Sequence, residues 1–198
     1  MKKKIIGICF DTTSSNTGSK KGACGALESL LQNKLLWFPC RHNIQEIIKS
    51  DVFQKFCGSG PDIAIFKRFQ SFWKTADTSL IEVDRSSFAW KESVDSFCKN
   101  QLNNGHPRHD YKELLQLTIV YLEDKLKNFT FTKPGSLHRA RWKAKVIYAI
   151  KIMLFKYKFK MTRQEQNSLN KFTIFAVRFY VPNRFVCSHA SAAPRNDM

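Results

Sequence analysis

Asp11 is the residue of this chain best placed to do chemistry. It follows the apolar run Ile5-Ile6-Gly7-Ile8-Cys9-Phe10 and opens the small polar turn Thr12-Thr13-Ser14-Ser15-Asn16-Thr17-Gly18. A short, β-branched run bounded by turn residues reads as a strand buried on both faces. The carboxyl end of such a strand is the edge where open α/β sheets place ligands and catalytic groups. The alternative role for Asp11 is to organise its own turn by bonding to nearby backbone. Two other patterns offer metal ligands or a nucleophile. Cys40-Arg41-His42 and Cys187-Ser188-His189 each pair a thiol with an imidazole, but zinc sites usually separate such ligands by at least two residues. A buried Cys40 and a His42 at a polar edge is the reading that spacing favours. His106 and His109 flank a proline in a loop and read as solvated. A cysteine nucleophile needs a base and a group to orient it, and neighbouring strand residues face opposite ways, so Cys40 and His42 make no complete constellation.

Two basic stretches point to anions. Gly18-Ser19-Lys20-Lys21-Gly22-Ala23-Cys24-Gly25 precedes a helical pattern, and backbone N–H groups at a helix start bind phosphate. The spacing is neither that of a P-loop nor that of a dinucleotide fingerprint. Glycines for tight helix–strand packing explain it equally, with Lys20 and Lys21 still able to touch a DNA phosphate. Further on, Leu137-His138-Arg139-Ala140-Arg141-Trp142-Lys143-Ala144-Lys145 combines four cations with one indole. Cations neutralise phosphates while an indole stacks on an unpaired base. Alternatively Trp142 anchors a helix in the core and the cations form its solvated face.

The charge of the 198-residue chain is uneven. Its formal net charge is +17, and residues 133–198 carry fourteen Lys and Arg against two acids, whereas residues 51–132 are balanced at eleven each. Such a field attracts a polyanion, nucleic acid first among them, with acidic lipid surfaces or an acidic protein as competitors. The 43% hydrophobic content and 17 Phe exclude a disordered chain. Six scattered Cys lack the spacing of a disulfide scaffold. Only six residues separate Lys4 from Asp11, too few for a signal-peptide core, so an intracellular, reduced protein is expected. Lys145, Lys151 and Lys156 interrupt the best candidate membrane span.

These groups must be positioned by elements of two kinds. After the Asp11 strand, Leu27, Leu30 and Leu31 mark a helix over Gly22–Leu31, Leu35–Cys40 is a second buried-strand candidate, and Ile44, Ile47 and Ile48 begin another helix. That order predicts a parallel βαβ unit. From Asp51 the period is helical: around Phe66–Trp73, Phe88–Phe97, Tyr111–Phe129 and Ser136–Tyr157, with Thr162-x-x-Glu165 as a capping box for a last helix that Pro182 stops near Tyr180. The fold class is therefore an α/β fragment followed by a mostly α region. Its segments are residues 1–50, a helical region 51–187 and an irregular tail 188–198.

In that order, Asp11-Thr12-Thr13-Ser14-Ser15-Asn16, then Trp37-Phe38-Pro39-Cys40-Arg41-His42-Asn43, then Ala140-Arg141-Trp142 resemble successive landmarks of the RNase H-like transposases of the hAT superfamily. The resemblance implies an incomplete RNase H-like βαβ unit followed by an all-helical insertion region. It implies that Asp11 is the second catalytic Asp and a Mg²⁺ ligand, and that Trp142 stands beside a flipped base, with Arg139, Arg141, Lys143, Lys145, Lys20 and Lys21 on DNA. Cys40 and His42 lie near the site; the family's C-x-x-H histidine position is Asn43 here, one residue after His42. Two Mg²⁺ ions need several carboxylates, and the first Asp and final Glu of the family have no counterpart in this chain. The expectation is a nuclear, DNA-binding fragment of a truncated, decayed or domesticated element, without strand-transfer activity of its own. The second reading, from another class, is a basic helical adaptor that binds RNA or an acidic protein, its Asp11 turn purely structural.

Overall fold

A computed structural model of the chain describes residues 5–19, 21–58, 63–78, 81, 88–105, 109–123, 129–135 and 142–187, with the side chains of residues 123 and 142 left aside. Ile8 and the flanking apolar residues form strand β1 (Gly7–Phe10), a one-turn helix α1 (Ser14–Thr17) follows the Asp11 turn, and α2 (Ala23–Leu31) leads to strand β2 (Leu36–Pro39). The strands are parallel, Gly7 pairing with Leu36 and Phe10 with Pro39. The ladder ends in Leu36 N–H donating to Ile6 O at 2.9 Å and Cys40 N–H donating to Phe10 O at 2.7 Å. Glu28 of α2 fixes the return of the chain: its carboxylate accepts from Leu35 N–H at 2.9 Å, Trp37 Nε1–H at 3.1 Å and Lys34 Nζ at 3.0 Å. Glycine is required where α1 hands over to α2, because a Cβ on Gly22 would lie 2.5 Å from Gly18 O and 2.6 Å from Asn16 O.

The strands are not buried on both faces as their composition predicts. Leu36, Trp37 and Phe38 of β2 are exposed, and so are Ile5 and Ile6 before β1. Among the described residues the sheet has only these two strands. Parallel sheets are ordinarily larger and covered on both sides.

A 17-residue helix, α3 (Arg41–Cys57), follows β2, and the remaining elements are helical: α4 (Ala64–Trp73), α5 (Lys91–Asn103), α6 (His109–Glu123), α7 (Trp142–Leu154), α8 (Arg163–Phe175), a π-helical turn (Ala176–Tyr180) and α9 (Val181–Phe185). The chain is therefore mostly α with a two-stranded parallel sheet. It divides into two compact units, Met1–Ile48 with Val186–Met198, and Lys49–Phe185, the division falling inside α3.

The core of the second unit is aromatic. Phe69, fully buried, has the rings of Phe72, Trp73, Tyr148, Phe155 and Phe159 between 5.3 and 6.4 Å away. Phe53 packs edge-on against Phe172 at 4.9 Å. The start of α8 is held by the capping box read in the sequence: Glu165 N–H donates to Thr162 Oγ1 at 3.2 Å and Thr162 N–H to Glu165 Oε2 at 2.9 Å. Arg68 of α4 donates to both oxygens of the same carboxylate, at 2.9 and 3.1 Å.

Two expectations are corrected here. Pro182 does not stop the last helix, which continues to Phe185. A proline lacks an N–H and its ring crowds the carbonyl four residues back; the wider π-helical turn directly before it relieves that conflict. The helix expected from Phe88 begins instead at Lys91. Among the described residues no helix is long and apolar enough to cross a membrane.

Candidate functional site

Asp11 lies exposed just past the carboxyl end of β1. Its Oδ1 accepts from Thr13 N–H at 3.0 Å, Thr13 Oγ1–H at 2.5 Å and Asn16 Nδ2–H at 2.7 Å. These bonds, Thr13's first and Asn16's after it, hold the carboxyl below the usual carboxylate range. The Asx-type turn and the sheet-edge placement coexist: one oxygen organises the turn, at the edge where α/β folds bind ligands.

The parallel register brings the second motif to the same edge. Phe10 pairs with Pro39, so Asp11 and Cys40 leave the sheet together and Arg41 and His42 open α3. Cys40 is buried, and His42 is 5% exposed. Lys21 is exposed ahead of α2; Lys20 lies outside the described residues. A cavity of about 550 Å³ runs along α2 between Gly18, Lys21, Gly22, Gly25, Ser29 and neighbouring polar residues.

Among the described residues, no three His, Cys, Asp or Glu side chains gather as a metal site. No disulfide joins the six cysteines, all of which lie among the described residues. Burial pushes the thiols of Cys57 and Cys98 up to about 12, where neither is a nucleophile.

The basic motif lies in the other unit. Trp142 is the first residue of α7; its side chain, like all of Arg139 and Arg141, lies outside the described residues. The lysines of α7 turn inward. Lys143, 9% exposed, puts its ammonium 2.8 Å from Asp110 Oδ2 and 4.1 Å from the Tyr111 ring centroid. Lys145 is half-buried with its ammonium 4.8 Å from the Phe53 ring, and burial lowers its pKa. Lys151, 1% exposed, meets Glu113 Oε1 at 2.5 Å and donates to Thr132 O at 2.7 Å. Lys143 and Lys151 thus serve the packing of α7 on α6, and Lys145 faces Phe53 of α3. The exposed cations of the last third, among the described residues, are Lys133, Lys158, Lys160, Arg163, Lys171 and Arg178.

No family model, curated protein or solved structure matches this chain.

One feature that sequence reading missed is a cluster of rings and cations formed by Phe88, Trp90, Lys91, Arg178 and Phe179. Its signal was present in Phe175-Ala176-Val177-Arg178-Phe179, where an Arg adjoins one of two Phe spaced by four. Their meeting with Phe88 and Trp90 is long-range and left no local mark.

Proposed function

We propose that this chain is a nucleic-acid-binding, partial transposase-like protein of RNase H-like ancestry that binds DNA and carries no strand-transfer activity of its own. The observation that supports it most is the carboxyl edge of the parallel strand pair. There a strand-end Asp11 adjoins the Cys40-Arg41-His42 segment, in a chain that then becomes helical. The net charge of +17 is the second support, since a protein with that excess gains affinity for a polyanion through counterion release. Lys21 and the exposed cations of the last third would make the phosphate contacts. Such contacts position a protein on a duplex without reading its sequence.

Binding of duplex DNA, followed as salt is raised, tests the reading. The expected result is an affinity that falls steeply with salt and varies little with sequence; affinity indifferent to salt would overturn it. Incubation of a supercoiled plasmid with Mg²⁺ is expected to leave it intact. Nicking that disappears in Asp11→Asn would overturn the statement that the chain is inactive while strengthening the ancestry.

A further inference from the structure

We infer that Phe88, Trp90, Arg178 and Phe179 form a docking platform for an unpaired base and its adjoining phosphate in single-stranded DNA. The inference rests on the nucleic-acid reading above and gives it a location that the sequence motifs did not supply. The platform is an alternation of rings and cations. Phe88, 41% exposed, stacks on Trp90 with centroids 5.6 Å apart and planes inclined by 20°. The Lys91 ammonium lies 5.6 Å from the Phe88 ring. On the other side, the Arg178 guanidinium is 5.9 Å from the Trp90 ring and 5.1 Å from that of Phe179, which is 48% exposed and 6.0 Å from Phe175.

Two structural devices hold these groups outward. Trp90 and Phe175 pack against the core and carry the more exposed Phe88 and Phe179 on their outer sides. The π-helical turn buries Ala176, Val177 and Tyr180 and leaves Arg178 and Phe179 as its exposed pair. Such turns are rare and recur at functional sites.

Large aromatic rings left in water are unfavourable unless something covers them. A ring beside a guanidinium suits a base with its phosphate: the base stacks on the ring, the cation pairs with the phosphate, and neither contact reads sequence. Bases within a duplex are stacked on each other and present no free face, so the unpaired strand is the ligand the geometry fits. The platform also differs in kind from the Trp142 motif, whose neighbours Lys143 and Lys145 turn into the core.

The test uses the full chain and three fluorescently labelled probes of equal length: oligo-dT, oligo-U and a DNA duplex. Phe179→Ala is expected to weaken oligo-dT binding by roughly 5- to 150-fold, the range of one lost base stack, and to leave duplex binding within about twofold. Arg178→Ala should lower the slope of log affinity against log salt for the single strand by about one. Loss on oligo-dT, with or without loss on oligo-U, is the expected result; loss on oligo-U alone overturns the assignment to DNA. Both side chains are exposed, so the fold should survive, and an unchanged melting curve checks this; Phe88→Ala, in a different segment, provides an independent second variant. Wild-type-like single-strand affinity in both Phe179→Ala and Phe88→Ala overturns the inference and leaves the proposed function standing. If the wild-type chain binds none of the three probes, both fall together.

Discussion

The two units of this chain solve the burial problem to very different degrees. In the helical unit Phe53, Phe66, Phe69, Phe155 and Phe172 are almost wholly removed from water and meet ring to ring. In the βαβ unit Ile5, Ile6, Leu36, Phe38, Ile44 and Ile47 are exposed around a two-stranded sheet. The first has a core of its own. The second is held by local devices, namely the strand ladder, the Glu28 clasp and the Asp11 turn. Hydrogen bonds of that kind, made by carboxylates in water, give geometry and little net stability, whereas a buried aromatic side chain contributes far more. Precise placement of Asp11 therefore coexists with modest stability around it.

The largest test of that contrast sets Phe69→Ala against Phe38→Ala. Loss of the Phe69 ring should destabilise the helical unit by about 3–5 kcal/mol, and loss of the exposed Phe38 ring by about 0.5 kcal/mol or less, both read by urea denaturation. Equal costs would erase the distinction.

Glu113→Gln comes next, because it leaves the Lys151 ammonium inside the protein without its counter-charge. A cost of about 3 kcal/mol is expected, and Lys151→Met should be milder. Burial outweighs Glu113 and lowers the pKa of Lys151 below 10.5. The folded state therefore holds this proton less tightly than the unfolded chain. This group's contribution to stability therefore improves as pH rises from the lowered value toward 10.5, and Lys151→Met should remove that rise from a thermal-melting pH series.

Thr162→Ala removes half of the capping box and should cost about 1 kcal/mol in thermal or chemical melting. Arg68 first, and the α8 backbone with it, holds the Glu165 carboxyl below 4.5. That contribution is present above 4.5 and is lost as pH falls through the lowered value. Arg68→Ala should flatten the acid limb of the helical unit's melting profile.

The smallest effect is at Asp11. Asp11→Asn should leave the helical unit's melting unchanged and speed hydrogen exchange at the Thr13 amide. In the wild type the same amide should lose protection as pH falls through a value below 3.8. A global loss of stability in Asp11→Asn would show that the βαβ unit depends on this turn far more than its exposure indicates.

Much of this was legible in the residues. The β1–α2–β2 order, the capping box and the helical register of Phe66 and Phe69 follow from hydrogen bonds and side-chain periods that repeat within a few positions. The turn at Asp11 was legible too, since an Asp before small polar residues bonds to nearby backbone; its closeness to Cys40 follows from the parallel register of the two strands. Exposure of β2 was not, because an apolar strand reads as buried whether or not anything packs on it. The continuation through Pro182 was hidden for a related reason: a proline ordinarily ends a helix unless the turn before it widens.

The order of elements, the acidic turn and the concentration of cations in the last third are properties of short segments or of composition, and follow from the residues alone. Which cations face water is a matter of packing between distant segments. Lys143 and Lys151 turn inward because α6 sets Asp110 and Glu113 opposite them, while Arg178 stands out beside Trp90 and Phe179. Charge is a local attribute of a residue, but its solvation and partner depend on segments far away in the chain, and packing brings those together.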